Sequence, residues 1–183
     1  AIAAYNQAVQ LDPSHFEAQH NLALATLQQG DLKSSLRIGE TAVALDPSSA
    51  NARYNLAVAL QRSRFPVDAA EELDRITRQH PDDPNAHLAL ATFHAEVIDK
   101  VGDVVGAVTY GASKHSALAL YDRAAELNPG SLVGMLETAR GLMMLDPEHH
   151  QARAERLYQQ LREARTLDAL EALVVGLANA TDD

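Results

Sequence analysis

The chain has 183 residues, enough for one domain or a short repeat array and more than a disulfide-stapled mini-protein needs. Alanine (33) and leucine (25) dominate, Trp and Cys are absent and Phe occurs three times; this helix former's composition argues against an all-β fold and excludes disulfides, thiolate metal sites and a cysteine nucleophile. The formal charge of −10 is spread as 7 basic against 12 acidic side chains over residues 1–96 and 8 against 13 over 97–183, with no basic cluster to hold nucleic acid or an anionic membrane.

In chain order, residues 1–15 read as a helix closing at Leu11-Asp12-Pro13. From Phe16, Leu22, Ala23, Ala25 and Leu27 form an apolar helical face that ends at Gly30-Asp31, where Gly can take the left-handed conformation and Asp can cap the next helix. Leu32–Leu45 follows, with Leu36, Ala42 and Leu45 on one side, and closes at Asp46-Pro47, since proline cannot donate into a continuing helix. Residues 50–83 repeat the unit, except that Ser63-Arg64-Phe65-Pro66 stands where Gly-Asp was, with Pro66 suited to a first helical turn. Residues 84–131 begin normally and end normally, at Ala117, Tyr121, Ala124 and Leu127-Asn128-Pro129, but carry an insertion near 97–116. Either a flap or arm, or a longer helix pair with a wider loop, is expected there. Residues 132–165 form a looser hairpin, and 166–183 a capping helix and tail with Leu167, Leu170, Leu173, Val174 and Leu177 on one side.

The period is 34 residues. It separates Pro13, Pro47 and Pro81, and it carries Asn21-Leu22-Ala23 onto Asn55-Leu56-Ala57 and Ala8 onto Ala42. Neither helix of a unit can bury its apolar stripe alone, so the units must stack. These landmarks resemble the tetratricopeptide repeat (TPR) family, whose unit places Leu and a small residue early in its first helix, Gly-Asp at the turn, Ala in the second helix and Pro at the end. The usual Trp of the first helix is replaced by Gln19, Arg53 and His87. The resemblance implies an all-α, right-handed α-solenoid of TPR helix–turn–helix hairpins, ending in a C-terminal capping helix.

It also implies a concave groove lined by the first helices, with Asn21, Asn55, His20, Leu24, Tyr54, Val58, Arg62 and Asn85 as peptide- or partner-binding residues. A side-chain amide both donates and accepts, so stacked asparagines can hold the backbone of an extended peptide. The third equivalent of Asn21 and Asn55 is Ala89. The TPR subclass that grips carboxylates uses Lys and Arg at places held here by His20, Leu24, Asn85 and Ala89, so a carboxylate clamp is not expected. A basic or apolar segment of another protein suits the acidic chain better.

Other chemistry finds little support. Tyr110 and Lys114 mimic the Tyr-x-x-x-Lys of short-chain dehydrogenases, but no Gly-x-Gly-x-x-Gly and no β-α alternation accompany them. The expected role of this stretch is structural: Gly111 breaks a helix and Ser113 caps the next. The eight histidines offer no i, i+3 or i+4 pair for a metal. No enzyme activity, catalytic residue, cofactor or metal is expected. No apolar stretch reaches the ~18 residues a membrane span needs, so direct membrane insertion is not expected either. A soluble protein results, its compartment unassigned between a bacterial cytoplasm and periplasm. The reading is a non-catalytic scaffold acting in assembly of a larger complex; the alternative is a homo-oligomer formed through residues 1–13.

Overall fold

A computed structural model describes residues 2–63, 66–164 and 174–178, and every regular element among them is an α-helix. The chain divides into two compact units, Ala1–Pro81 and Asp82–Asp183.

The first unit holds α1 (Ile2–Leu11), α2 (Phe16–Gln28), α3 (Leu32–Leu45), α4 (Ala50–Arg62) and α5 (Pro66–Gln79). Its turns show why the 34-residue landmarks recur. Asp12 Oδ1 accepts from the backbone N–H of Ser14 at 2.9 Å and its hydroxyl at 2.6 Å, and Asp46 accepts from Ser48 at the same two distances. These hydrogen bonds fold Leu-Asp-Pro-Ser into a tight turn and hold both carboxyls below the usual carboxylate range. Gly30, at φ 80°, stops α2, and Asp31 caps α3 by accepting from Ser34 N–H at 3.1 Å. Residues 64 and 65 of the expected α4–α5 turn lie outside the described residues; α5 starts at Pro66.

Small residues bring these helices together. Ala42, Ala57, Ala59 and Ala69 are 1% exposed or less. Leu22, Ala23 and Ile38 form a core on which Ile2, Tyr5 and Val9 of α1 pack. Leu45 departs from its expected burial: it is 38% exposed, being the last residue of α3. Two of the three places that lack Trp, Gln19 and Arg53, carry buried polar stitches. Gln19 Nε2 donates to Pro13 O at 2.8 Å, and 34 residues on Arg53 Nε donates to Pro47 O at 2.8 Å. Arg53, 4% exposed, also pairs with Glu72 at 2.7 Å. Each stitch satisfies a carbonyl in the turn just before its own helix, which water would otherwise have to reach.

The second unit holds α6 (Pro84–Val101), α7 (Asp103–Tyr110), α8 (Lys114–Leu127), α9 (Leu132–Leu145) and α10 (Pro147–Glu163). The insertion lengthens the first helix, as one of the two expectations had it, and adds a short helix in place of a flap or a wider loop. Helix α6 is 18 residues long where α2 and α4 have 13, and after Gly102 an eight-residue helix, α7, is added. The following turn, 111–113, is as short as the one at 29–31, and α8 matches α3 in length. Helix α6 packs on α8 and α9, and α9 on α10. Tyr121 is fully buried among them, above Gly141 of α9. Of the expected capping helix, residues 174–178 are described and helical. Val174 and Ala178 are buried with Leu136 and Leu161, whereas Leu177, expected on the same side as Val174, is 39% exposed. The rest of 166–183, with Leu167, Leu170 and Leu173, lies outside the described residues.

Candidate binding face on α2 and α4

Helical periodicity sorts α2 into two sides. Ala18, Gln19, Leu22, Ala23, Thr26 and Leu27 are buried, which leaves Glu17, His20, Asn21, Leu24 and Gln28 on the other side. The same division on α4 buries Ala52, Arg53, Leu56, Ala57 and Ala59 and leaves Tyr54, Asn55, Val58 and Arg62 outward. Because α2 packs against α4, the 34-residue period sets equivalent residues in matching rows: His20 with Tyr54, Asn21 with Asn55, Leu24 with Val58, and Gln28 with Arg62. His20, Asn21, Leu24, Asn55 and Val58 are half-buried, while Tyr54 and Arg62 are exposed.

The face combines ring, amide, aliphatic and cationic chemistry within one surface. His20 stacks on Phe16 with centroids 5.8 Å apart, and among the described residues its solvent-shielded Nδ1 has no hydrogen bond. At the start of α2, Glu17 is exposed and lies 3.2 Å from His15 Nδ1. Among the described residues, neither the Asn21 nor the Asn55 side-chain amide is committed to an intramolecular hydrogen bond.

Seven of the eight expected binding residues therefore lie on α2 and α4. The eighth, Asn85, belongs to the second unit, exposed near the start of α6, where its backbone N–H donates to Asp83 Oδ1 at 2.9 Å. Its sequence place matches Glu17 and Asn51, not Asn21, so an amide side chain alone is a poor guide to this row. Thr92, further along α6, contacts the Tyr121 hydroxyl at 3.3 Å. Burial pushes the Tyr121 phenol up to about 12, so it remains a neutral hydrogen-bonding group.

Tyr110 and Lys114 stand on different helices, separated by Gly111 at φ 66° and by Ser113, whose side chain caps α8 by accepting from Ser116 N–H. Among the described residues no three His, Asp or Glu side chains gather as metal ligands, and no helix is long and apolar enough to cross a membrane. Sequence reasoning missed the exposed valines of α7; the departure of Val101–Tyr110 from the charged pattern around it was the available signal.

Comparison with known families places this architecture. A tetratricopeptide repeat model matches residues 26–92 and a TPR repeat model matches residues 1–30, together spanning half of the chain. The chain belongs to the tetratricopeptide repeat family. Among solved structures it resembles MamA at 18% identity and a TM-score of 0.63, over 98% of this chain and 89% of that one. It resembles YrrB, described as a TPR protein with an unusual peptide-binding site, at 18% identity and a TM-score of 0.60, over 100% and 85% of the two chains. Yeast Tom70 superposes with a TM-score of 0.65 at 16% identity, over 99% of this chain but 36% of its own. Comparison with curated protein sequences finds no match.

Proposed function

We propose that this chain is a non-catalytic scaffold whose α2–α4 face binds an extended segment of another protein, holding together a larger complex. The observation that carries the reading is the pair Asn21 and Asn55. They sit in equivalent places on packed helices, half-buried, with amides that no other described group engages. Amides spaced along successive repeats can bond to the backbone of a peptide, which gives register without dictating its side chains. Leu24 and Val58 supply an apolar row beside them for one or two aliphatic residues. Basic or apolar segments suit the surrounding acidic chain, with Glu17 at the entrance of the face.

The test is a random peptide library selected on the intact chain, followed by affinity measurements on the double variant Asn21→Ala/Asn55→Ala. Two lost hydrogen bonds at about 0.5–1.5 kcal/mol each weaken binding roughly 5- to 150-fold. Unchanged affinity in a variant that keeps its helical circular dichroism removes the two asparagines from the site.

A second reading, self-association, is favoured by one observation: Leu11 at the end of α1 is 81% exposed, and α1 has no buried residue. Light scattering across a dilution series of wild type and Leu11→Lys decides it. A concentration-dependent mass in the wild type alone supports it, and a monomer throughout removes it.

A further inference from the structure

The added helix α7 is fixed to α6 by one side only. Gly106 is buried, and a Cβ built there would stand 3.4 Å from Val97 Cγ1 and 3.6 Å from both Ile98 Cγ1 and Ala112 Cβ. Ala112 is fully buried and its N–H donates to Gly106 O at 3.0 Å. At about 100° per residue, Val104 and Val108 point away from Gly106, roughly 200° around the helix. They are 77% and 84% exposed, Val105 is 50% and Val101, at the end of α6, is 39%. Single exposed aliphatics are ordinary, but Val104, Val105 and Val108, at i, i+1 and i+4 of α7, form a stripe with Val101 just across the Gly102 break. Helix propensity does not explain them, since valine is a weak helix former compared with the Ala, Glu or Lys that a solvated helix favours. Ala107 and Gly111 beside the stripe are exposed and small, which lets another backbone approach closely.

Size and charge select the occupant. Eight residues span about 12 Å, far short of the ~800 Å² per side of a standard protein interface, so the stripe fits a short segment. Among the described residues Asp99 and Asp103 are exposed without an ion pair on its N-terminal side, and the cation between them in sequence, Lys100, is engaged by Glu96 at 3.3 Å. A second copy docked through α7 would crowd four carboxylates into a small contact, and an anionic lipid surface would meet the same repulsion. We infer that α7 is a docking surface, separate from the α2–α4 face, for a short aliphatic segment of another protein flanked by Lys or Arg.

The test uses the intact chain and two synthetic peptides of about twelve residues, identical in their Leu/Val centre and flanked by either Lys or Glu. Methyl NMR and fluorescence anisotropy follow binding. The Lys-flanked peptide should shift the Val104, Val105 and Val108 methyls and bind about tenfold more tightly than the Glu-flanked one. Val104→Asp/Val108→Asp should lose that binding and Asp99→Lys/Asp103→Lys should abolish the charge preference, while Asn21→Ala/Asn55→Ala leaves both unchanged. Equal affinity for the two peptides overturns the inference. So do shifts confined to α2 and α4, line broadening at the valines on concentration without peptide, or preferential binding to phosphatidylglycerol vesicles.

Discussion

Gly141→Ala tests the packing of the second unit, because the new methyl has nowhere to go. Its Cβ would stand 2.7 Å from Tyr121 Cε2 and closer still to Cζ and the hydroxyl oxygen. The ring is fully buried, with its hydroxyl at 3.3 Å from Thr92 Oγ1, so it cannot swing into solvent. Overpacking of this kind costs about 1–3 kcal/mol, and replacing a helical glycine by alanine returns about 1 kcal/mol. A net loss of up to ~2 kcal/mol is expected, read as a lower thermal midpoint by circular dichroism. The sign should reverse in a Tyr121→Leu background, where the distal ring atoms are gone: there Gly141→Ala should stabilise by about 0.5–1 kcal/mol relative to Tyr121→Leu alone. Gly39→Ala serves as the contrast, since its Cβ would meet Leu56 Cδ1 at an ordinary 3.4 Å. Equal destabilisation of Gly141→Ala in both backgrounds would refute the close approach of Tyr121.

Arg53→Leu leaves Pro47 O and Glu72 without their buried donor and should cost ~2–4 kcal/mol in chemical denaturation. Arg53→Gln, which can still reach the carbonyl as Gln19 does one repeat earlier, should cost about half as much; Arg53→Leu at least as stable as Arg53→Gln would contradict the stitch. Burial lowers the His94 pKa from 6.5, so the folded state binds fewer protons than the unfolded one, and stability should fall as pH drops below about 6.5. Replacing His94 with Gln should flatten that acid limb. Burial raises Tyr121 from 10.0 to about 12, so stability should fall again as pH rises above 10, in step with a delayed phenolate absorbance.

The helices and their turns were legible because their signals are local. Leu-Asp-Pro-Ser, Gly30-Asp31 and the capping serines act within a few residues, and the 34-residue period repeats them. The same period puts Asn21 and Asn55 at equivalent places on α2 and α4, two helices that pack together. What stayed hidden depends on partners distant in sequence. A buried Arg53 follows only from Glu72, 19 residues on, and from the Pro47 carbonyl. The fit of Tyr121 to Gly141 is a contact between two helices. At α7, three glycines and a run of valines left both a flap or arm and a longer helix pair with a wider loop open, and Gly106 is what lets an added helix lie flat on Val97 and Ile98.

The central claim, that the α2–α4 face binds an extended segment through Asn21 and Asn55, is tested most directly by side-chain amide NMR of the intact chain titrated with a library-selected peptide. The account predicts that the Asn21 and Asn55 side-chain NH2 signals shift together, in proportion to occupancy, with the Leu24 methyls. Shifts that leave both amides in place while the peptide binds elsewhere would contradict it.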